Sequence, residues 1–106
     1  MTTVQMLSRD GEWRGFRITG HSGYDSPGND ILCAAISSAA ALIANLLTEQ
    51  LGCKAVTKQR DGYLLFSLTC SAACRARQPL EAFADHIRQL AEQYPKHLRI
   101  TILEVY

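Results

Sequence analysis

The chain is 106 residues long, within the usual span of a single domain. With 47% hydrophobic and 20% charged residues it has the composition of an ordinary globular protein, which excludes a disordered chain. Eleven Lys and Arg against ten Asp and Glu leave a formal charge of +1, which offers no footprint for wrapping nucleic acid or coating an anionic membrane.

The chain opens Met1-Thr2-Thr3-Val4-Gln5, without the basic start and apolar run of a secretory signal. The expectation is a reducing cytoplasm, where Cys33, Cys53, Cys70 and Cys74 remain thiols. Thr3 to Ser8 reads as a strand, Arg9-Asp10-Gly11 as a hairpin turn, and Trp13 to Thr19 as its partner strand. The glycines and proline of Gly20 to Asn29 predict a loop with no regular element. A helix is expected from Asp30 to Leu51, with Asn29 or Asp30 as its N-cap and Gly52 as its stop. Within it, Ile31 to Leu47 is 17 residues without a charge, at the lower limit of a membrane span. That run is rich in alanine and interrupted by Ser37, Ser38 and Asn45, so it reads as the buried central helix of a globular domain, with no membrane partner.

Lys54 to Gln59 and Tyr63 to Thr69 form a second strand pair around the Asp61-Gly62 turn. Pro79 is expected to open another helix, in which Leu80, Phe83, Ala84, Ile87, Leu90, Ala91 and Tyr94 recur at amphipathic spacing until Pro95. Leu98 to Val105, β-branched and apolar in part on both faces, reads as an inner strand. The order ββαββαβ predicts one α+β domain over residues 1–106, with two helices and a mixed or mainly antiparallel sheet.

At 100° per residue, the first helix divides into two faces. Ile31, Leu32, Ile36, Leu42, Ile43, Leu46 and Leu47 form a large apolar face that should meet the sheet. Asp30, Cys33, Ser37, Ala41, Ala44 and Thr48 form a face of small or polar side chains. That second face has two readings: a close-packed interface with Cys33 as a small hydrophobe, or a catalytic surface. The catalytic reading expects Cys33 in the first turn, where unpaired N–H groups and the helix dipole favour a thiolate. His21 ends a strand just across the loop from this helix start. A Cys–His pair there makes an activated nucleophile, with helix N–H groups ready for an oxyanion.

The run Gly20-His21-Ser22-Gly23-Tyr24, followed by Gly28-Asn29-Asp30-Ile31-Leu32-Cys33-Ala34-Ala35-Ile36-Ser37, closely resembles the signature of the ribosomal-processing cysteine protease family, Prp, of the YsxB-like group. That signature runs Gly-His-x-Gly-Tyr, a short gap, then Gly-x-Asp-Ile-x-Cys-Ala-Ala-x-Ser. Similarity in length and element order extends over nearly the whole chain. The resemblance implies a small cytoplasmic cysteine endopeptidase, acting as a homodimer without a cofactor. Its implied substrate is the short N-terminal extension of a large-subunit ribosomal protein, cut after an aromatic pair. It implies His21 and Cys33 as the catalytic pair, supported by Asp30 and Ser37. Ser22, Gly23, Tyr24 and Gly28 then belong to a substrate loop. Asp30 is left with two roles, orienting His21 or capping the helix.

Other chemistries fit less well. Cys70 and Cys74 stand four residues apart, but neither His86 nor Cys53 completes a second ligand pair, so no metal is expected. A phosphatase-like cysteine needs an arginine six residues on, where Ala39 stands. A thiol redox protein needs a resolving cysteine at Cys-x-x-Cys spacing. The alternative from another class is a non-catalytic, ribosome-associated protein that binds the peptide or RNA without cutting.

Overall fold

The structure, a computed structural model, describes residues 1–20, 27–69 and 73–105, with side chains described from Ile31 onward in the first helix and from Arg75 onward in the second. In chain order the elements are β1 (Thr2–Arg9), β2 (Glu12–Thr19), α1 (Pro27–Asn45), β3 (Ala55–Arg60), β4 (Tyr63–Leu68), α2 (Ala73–Gln93) and β5 (Leu98–Glu104). This is the predicted ββαββαβ order, and the fold is α+β. The strands form one mixed sheet in the order β3-β4-β2-β1-β5. β1–β2, β2–β4 and β3–β4 pair antiparallel, while β5 runs parallel to β1.

The β1–β2 hairpin closes where the sequence places it. Asp10 and Gly11 have φ of 53° and 79°, the two positive values of a turn that matches strand twist. Arg9 then lies opposite Glu12. Side chains alternate along each strand, so Val4, Met6, Phe16 and Phe66 share one face, and both helices cover it. Phe16 lies at the centre of that core. Its ring centroid is 5.4 Å from Phe66 and 4.3 Å from Phe83 of α2, both stacked. The Trp13 indole also donates to the Glu81 carboxylate, joining β2 to α2 a second time.

Four expectations change. First, α1 begins at Pro27, inside the segment read as loop. Proline is favoured at the first helical position because its fixed φ suits the helix and its missing N–H has no partner there anyway. Asn29 and Asp30 are therefore inside the first turn and neither is the N-cap.

Second, α2 begins at Ala73, and Pro79 is inside it rather than at its start. A proline there forfeits the bond to the carbonyl four residues back. Tertiary contacts hold the extra turns: Ala76 is fully buried, and the Arg75 guanidinium donates to the Leu51 carbonyl at 3.2 Å.

Third, β5 is an edge strand, not an inner one. Leu98, Ile100 and Ile102 pair with Thr2, Val4 and Met6 and so share the helix-side face, yet burial falls along the strand, from Leu98 under the helices to Ile102, 62% exposed at the open edge.

Fourth, α1 is not buried all round. Leu32, Ile36, Ala40, Ile43 and Leu47 make the buried stripe, whereas Ile31 is 64% and Leu42 68% exposed. On the helical wheel these two lie about 120° from the centre of that stripe, too far round to reach the sheet. The helix ends in one wide turn, Leu46–Gln50, where the Leu51 N–H reaches the Leu46 carbonyl at 3.0 Å. Gly52, at φ 68°, lets the chain turn away as expected.

Candidate active site

The site is built from the end of β2 and the small-residue face of α1. β2 leaves the sheet under tight restraint. The Gly20 N–H donates to the Gly62 carbonyl at 3.0 Å. Its φ is 92°, and a Cβ there would stand 2.4 Å from the Met1 carbonyl oxygen. No residue with a side chain fits that position. The chain beyond Gly20 therefore departs from a point pinned between the start of β1 and the β3–β4 turn.

Between α1 and the sheet lies a groove of about 440 Å³. Cys33, Ser37, Ala41 and Ala44 of α1 line it, at the helical spacing that the sequence predicts for one face. Small side chains on that face keep the helix wall open. Ile18 and Leu64 line the groove from the sheet side, with Thr57 and Gln59 of the edge strand beside them. Gly20 and Thr2 line it as well. Thr2 is 3% exposed, and among the described residues its hydroxyl has no hydrogen-bond partner.

Of the candidate residues, Cys33 and Ser37 come together on this groove, Cys33 half-buried and Ser37 exposed. Ser37 is one turn beyond Cys33 on the same face. His21, Ser22, Gly23 and Tyr24 lie outside the described residues. Gly28 and Asp30 belong to the first turn of α1, with their side chains outside the described set. The early helix start also moves Cys33. It is the seventh residue of α1 rather than a first-turn residue, about one turn beyond the N–H groups a helix leaves unpaired. The dipole acts mainly within the first turn, and Cys33 stands beyond it.

The strand side of the groove escapes sequence reasoning. Ile18 and Leu64 face each other across β2 and β4, strands separated in the chain by all of α1 and β3. Alternation alone marks each as core. Only the pairing reveals that α1 leaves them partly uncovered. Thr2 carries no local signal of its role.

A thiol on one wall, an apolar strand floor and an exposed strand edge suit a peptide whose side chain enters the groove while its carbonyl meets the sulfur. The comparisons with known proteins agree with that chemistry. The family model for cysteine protease Prp matches residues 1–99. SMU.848 from Streptococcus mutans superposes with a TM-score of 0.84 at 27% identity, over 99% of this chain and 96% of that one. The essential ribosomal processing protease Prp from S. aureus, in complex with a substrate peptide, shares the fold with a TM-score of 0.87 at 19% identity, over 97% and 100% of the two chains. The same S. aureus protease with a covalently linked product peptide gives a TM-score of 0.85 at 20% identity, over 97% and 100%. No curated protein sequence matches the chain.

Proposed function

The chain belongs to the cysteine protease Prp family, and on that premise we propose that it removes the short N-terminal extension of a large-subunit ribosomal protein. In this reading His21 takes the proton of Cys33, and the thiolate attacks the scissile carbonyl carbon. The tetrahedral intermediate collapses to a thioester as His21 returns the proton to the leaving amine. Water, deprotonated by His21, then hydrolyses the thioester and releases the acid. Asp30, no longer available as a cap, orients His21. Ser37 supports the Cys33 face one turn away, and Ser22, Gly23, Tyr24 and Gly28 form the loop that meets the substrate. No cofactor takes part.

One observation supports this reading most directly. Cys33 and Gly20 line the same groove, and Gly20 is bonded in sequence to His21. The chain therefore leaves the pinned end of β2 at the groove that holds the thiol. The exposed Ile31 and Leu42 on α1 support a homodimer built through that helix, in a reducing cytoplasm where its cysteines stay thiols.

The test is cleavage of a peptide spanning the extension junction, followed by mass spectrometry. The parent protein cuts once, while Cys33→Ser and His21→Ala bind the peptide and leave it whole. Parent-level turnover by either variant, or binding without cleavage by the parent, overturns the assignment.

A further inference from the structure

The sheet has a second face, and no helix among the described residues covers it. Strand register assigns its side chains without ambiguity. One row across the sheet reads Lys58, Leu65, Arg17, Gln5 and Thr101, and the next reads Arg60, Tyr63, Thr19, Thr3 and Arg99. Partners in register share a face, so Arg17, Lys58 and Arg99 stand on the side away from the Cys33 thiol, and Arg60, in the same register, lies at the rim where that side meets the groove. Arg9 joins them at the hairpin tip, opposite Glu12. Glu12 is the carboxylate this face carries among the described strand residues. The formal charge of +1 therefore conceals an uneven distribution, with five of the eleven Lys and Arg on one face of the sheet.

The arrangement specifies the kind of anion. With strands about 4.8 Å apart, Lys58 and Arg17 are about 10 Å apart, and Arg60 and Arg99 about 19 Å. The cations thus form a broad track rather than a pocket for one group, and a repeating anion fits it. Guanidinium groups predominate, and their planar fork suits phosphate oxygens better than an ammonium does. Arg17 is preset, its Nε donating to the Gln5 side-chain oxygen at 2.7 Å. The Arg60 guanidinium carbon lies 4.2 Å over the Tyr63 ring centroid, pairing two groups of the kinds on which unpaired bases stack. Thr3, Thr19 and Thr101 add hydroxyls between the charges. Arg60 and Tyr63 stand where this face meets the end of the Cys33 groove.

We propose that the open sheet face is an RNA-docking surface that holds the phosphate backbone of a single-stranded or looped segment. This departs from the expectation of no nucleic-acid contact, which rested on total charge and not on its distribution. It goes beyond peptide cleavage and does not depend on it, since the docking face and the thiol lie on opposite sides of the sheet.

The experiment is fluorescence anisotropy with a labelled 12-residue oligouridylate, titrated with the full chain at several salt concentrations. Binding is expected, with log affinity falling against log salt at a slope of about −3, the value for roughly four phosphates on a single strand. The double variant Lys58→Glu/Arg99→Glu, altering exposed side chains outside the groove, is expected to bind at least tenfold more weakly. Its cleavage of a short peptide should be unchanged. A control pair on α2, Arg77→Glu/Arg88→Glu, makes the same change in net charge and should bind like the parent. Three results overturn the proposal: no binding at low salt, equal loss in both double variants, or polyglutamate competing as well as unlabelled RNA. Failure of peptide cleavage with intact RNA binding would instead count against the protease assignment alone.

Discussion

Gly20 and Gly52 both have positive φ, 92° and 68°, but only one of them is enclosed. A Cβ at Gly52 would meet no heavy atom within 4 Å, whereas a Cβ at Gly20 would stand 2.4 Å from the Met1 carbonyl oxygen. The alanine variants therefore separate backbone strain from steric exclusion. Gly52→Ala carries only the left-handed penalty, about 1–2 kcal/mol. Gly20→Ala carries a comparable strain of about 1–3 kcal/mol. It must also displace the Met1 backbone by about 1 Å, an overpacking cost of about a further 1–3 kcal/mol, for about 2–6 kcal/mol together. At about 4 °C per kcal/mol for a domain of this size, the melting temperature should fall by about 4–8 °C in Gly52→Ala and by about 8–24 °C in Gly20→Ala. Thermal unfolding by circular dichroism reads both values. Peptide turnover, measured well below each transition, should fall in Gly20→Ala and hold in Gly52→Ala, because only Gly20 starts the chain toward His21. Equal melting temperatures in the two variants would refute the claim that the end of β2 is pinned against β1.

The core and the exposed helix face each support a further prediction. Phe83→Ala removes the ring stacked 4.3 Å from Phe16 and should cost about 3–5 kcal/mol in urea unfolding; a cost under about 1 kcal/mol would mean that this ring does not anchor α2. Leu42→Glu places a charge on the exposed stripe that also carries Ile31 and should convert a dimer to a monomer in sedimentation while the far-UV circular dichroism spectrum stays that of the parent; an unchanged dimer would exclude this face as the contact.

Local chemistry makes much of this molecule legible in the order of its residues. The Asp10-Gly11 and Asp61-Gly62 turns, the stop at Gly52 and the alternation in β1, β2 and β4 are set by neighbours a few residues away. The small-residue face of α1, with Cys33 and Ser37 in line, follows from helical spacing and is the wall of the groove. Where expectation and fold part, long-range packing decides. Buried Ala76 and the Arg75 contact to Leu51 extend α2 six residues ahead of Pro79, against the usual reading of proline as a start. Pro27 opens α1 early, and so shifts Cys33 beyond the first turn and Asp30 out of the cap.

The elements, their order and the residue types that carry the chemistry were set by sequence, because periodicity, turn geometry and a contiguous motif are encoded within short stretches of chain. Which faces meet was a matter for tertiary packing. Pairing β2 with β4 across the whole of α1 brings Ile18 and Leu64 under the Cys33 wall, and placing β5 at the edge beside β1 lines up Arg99 with the cations of β2 and β3. Neither consequence is visible locally, since both depend on strand order, and strand order is set by how the two helices share one side of the sheet. The near-zero net charge was a correct sum of the residues, but only the register of five strands revealed that five of the eleven cations share one side of the sheet.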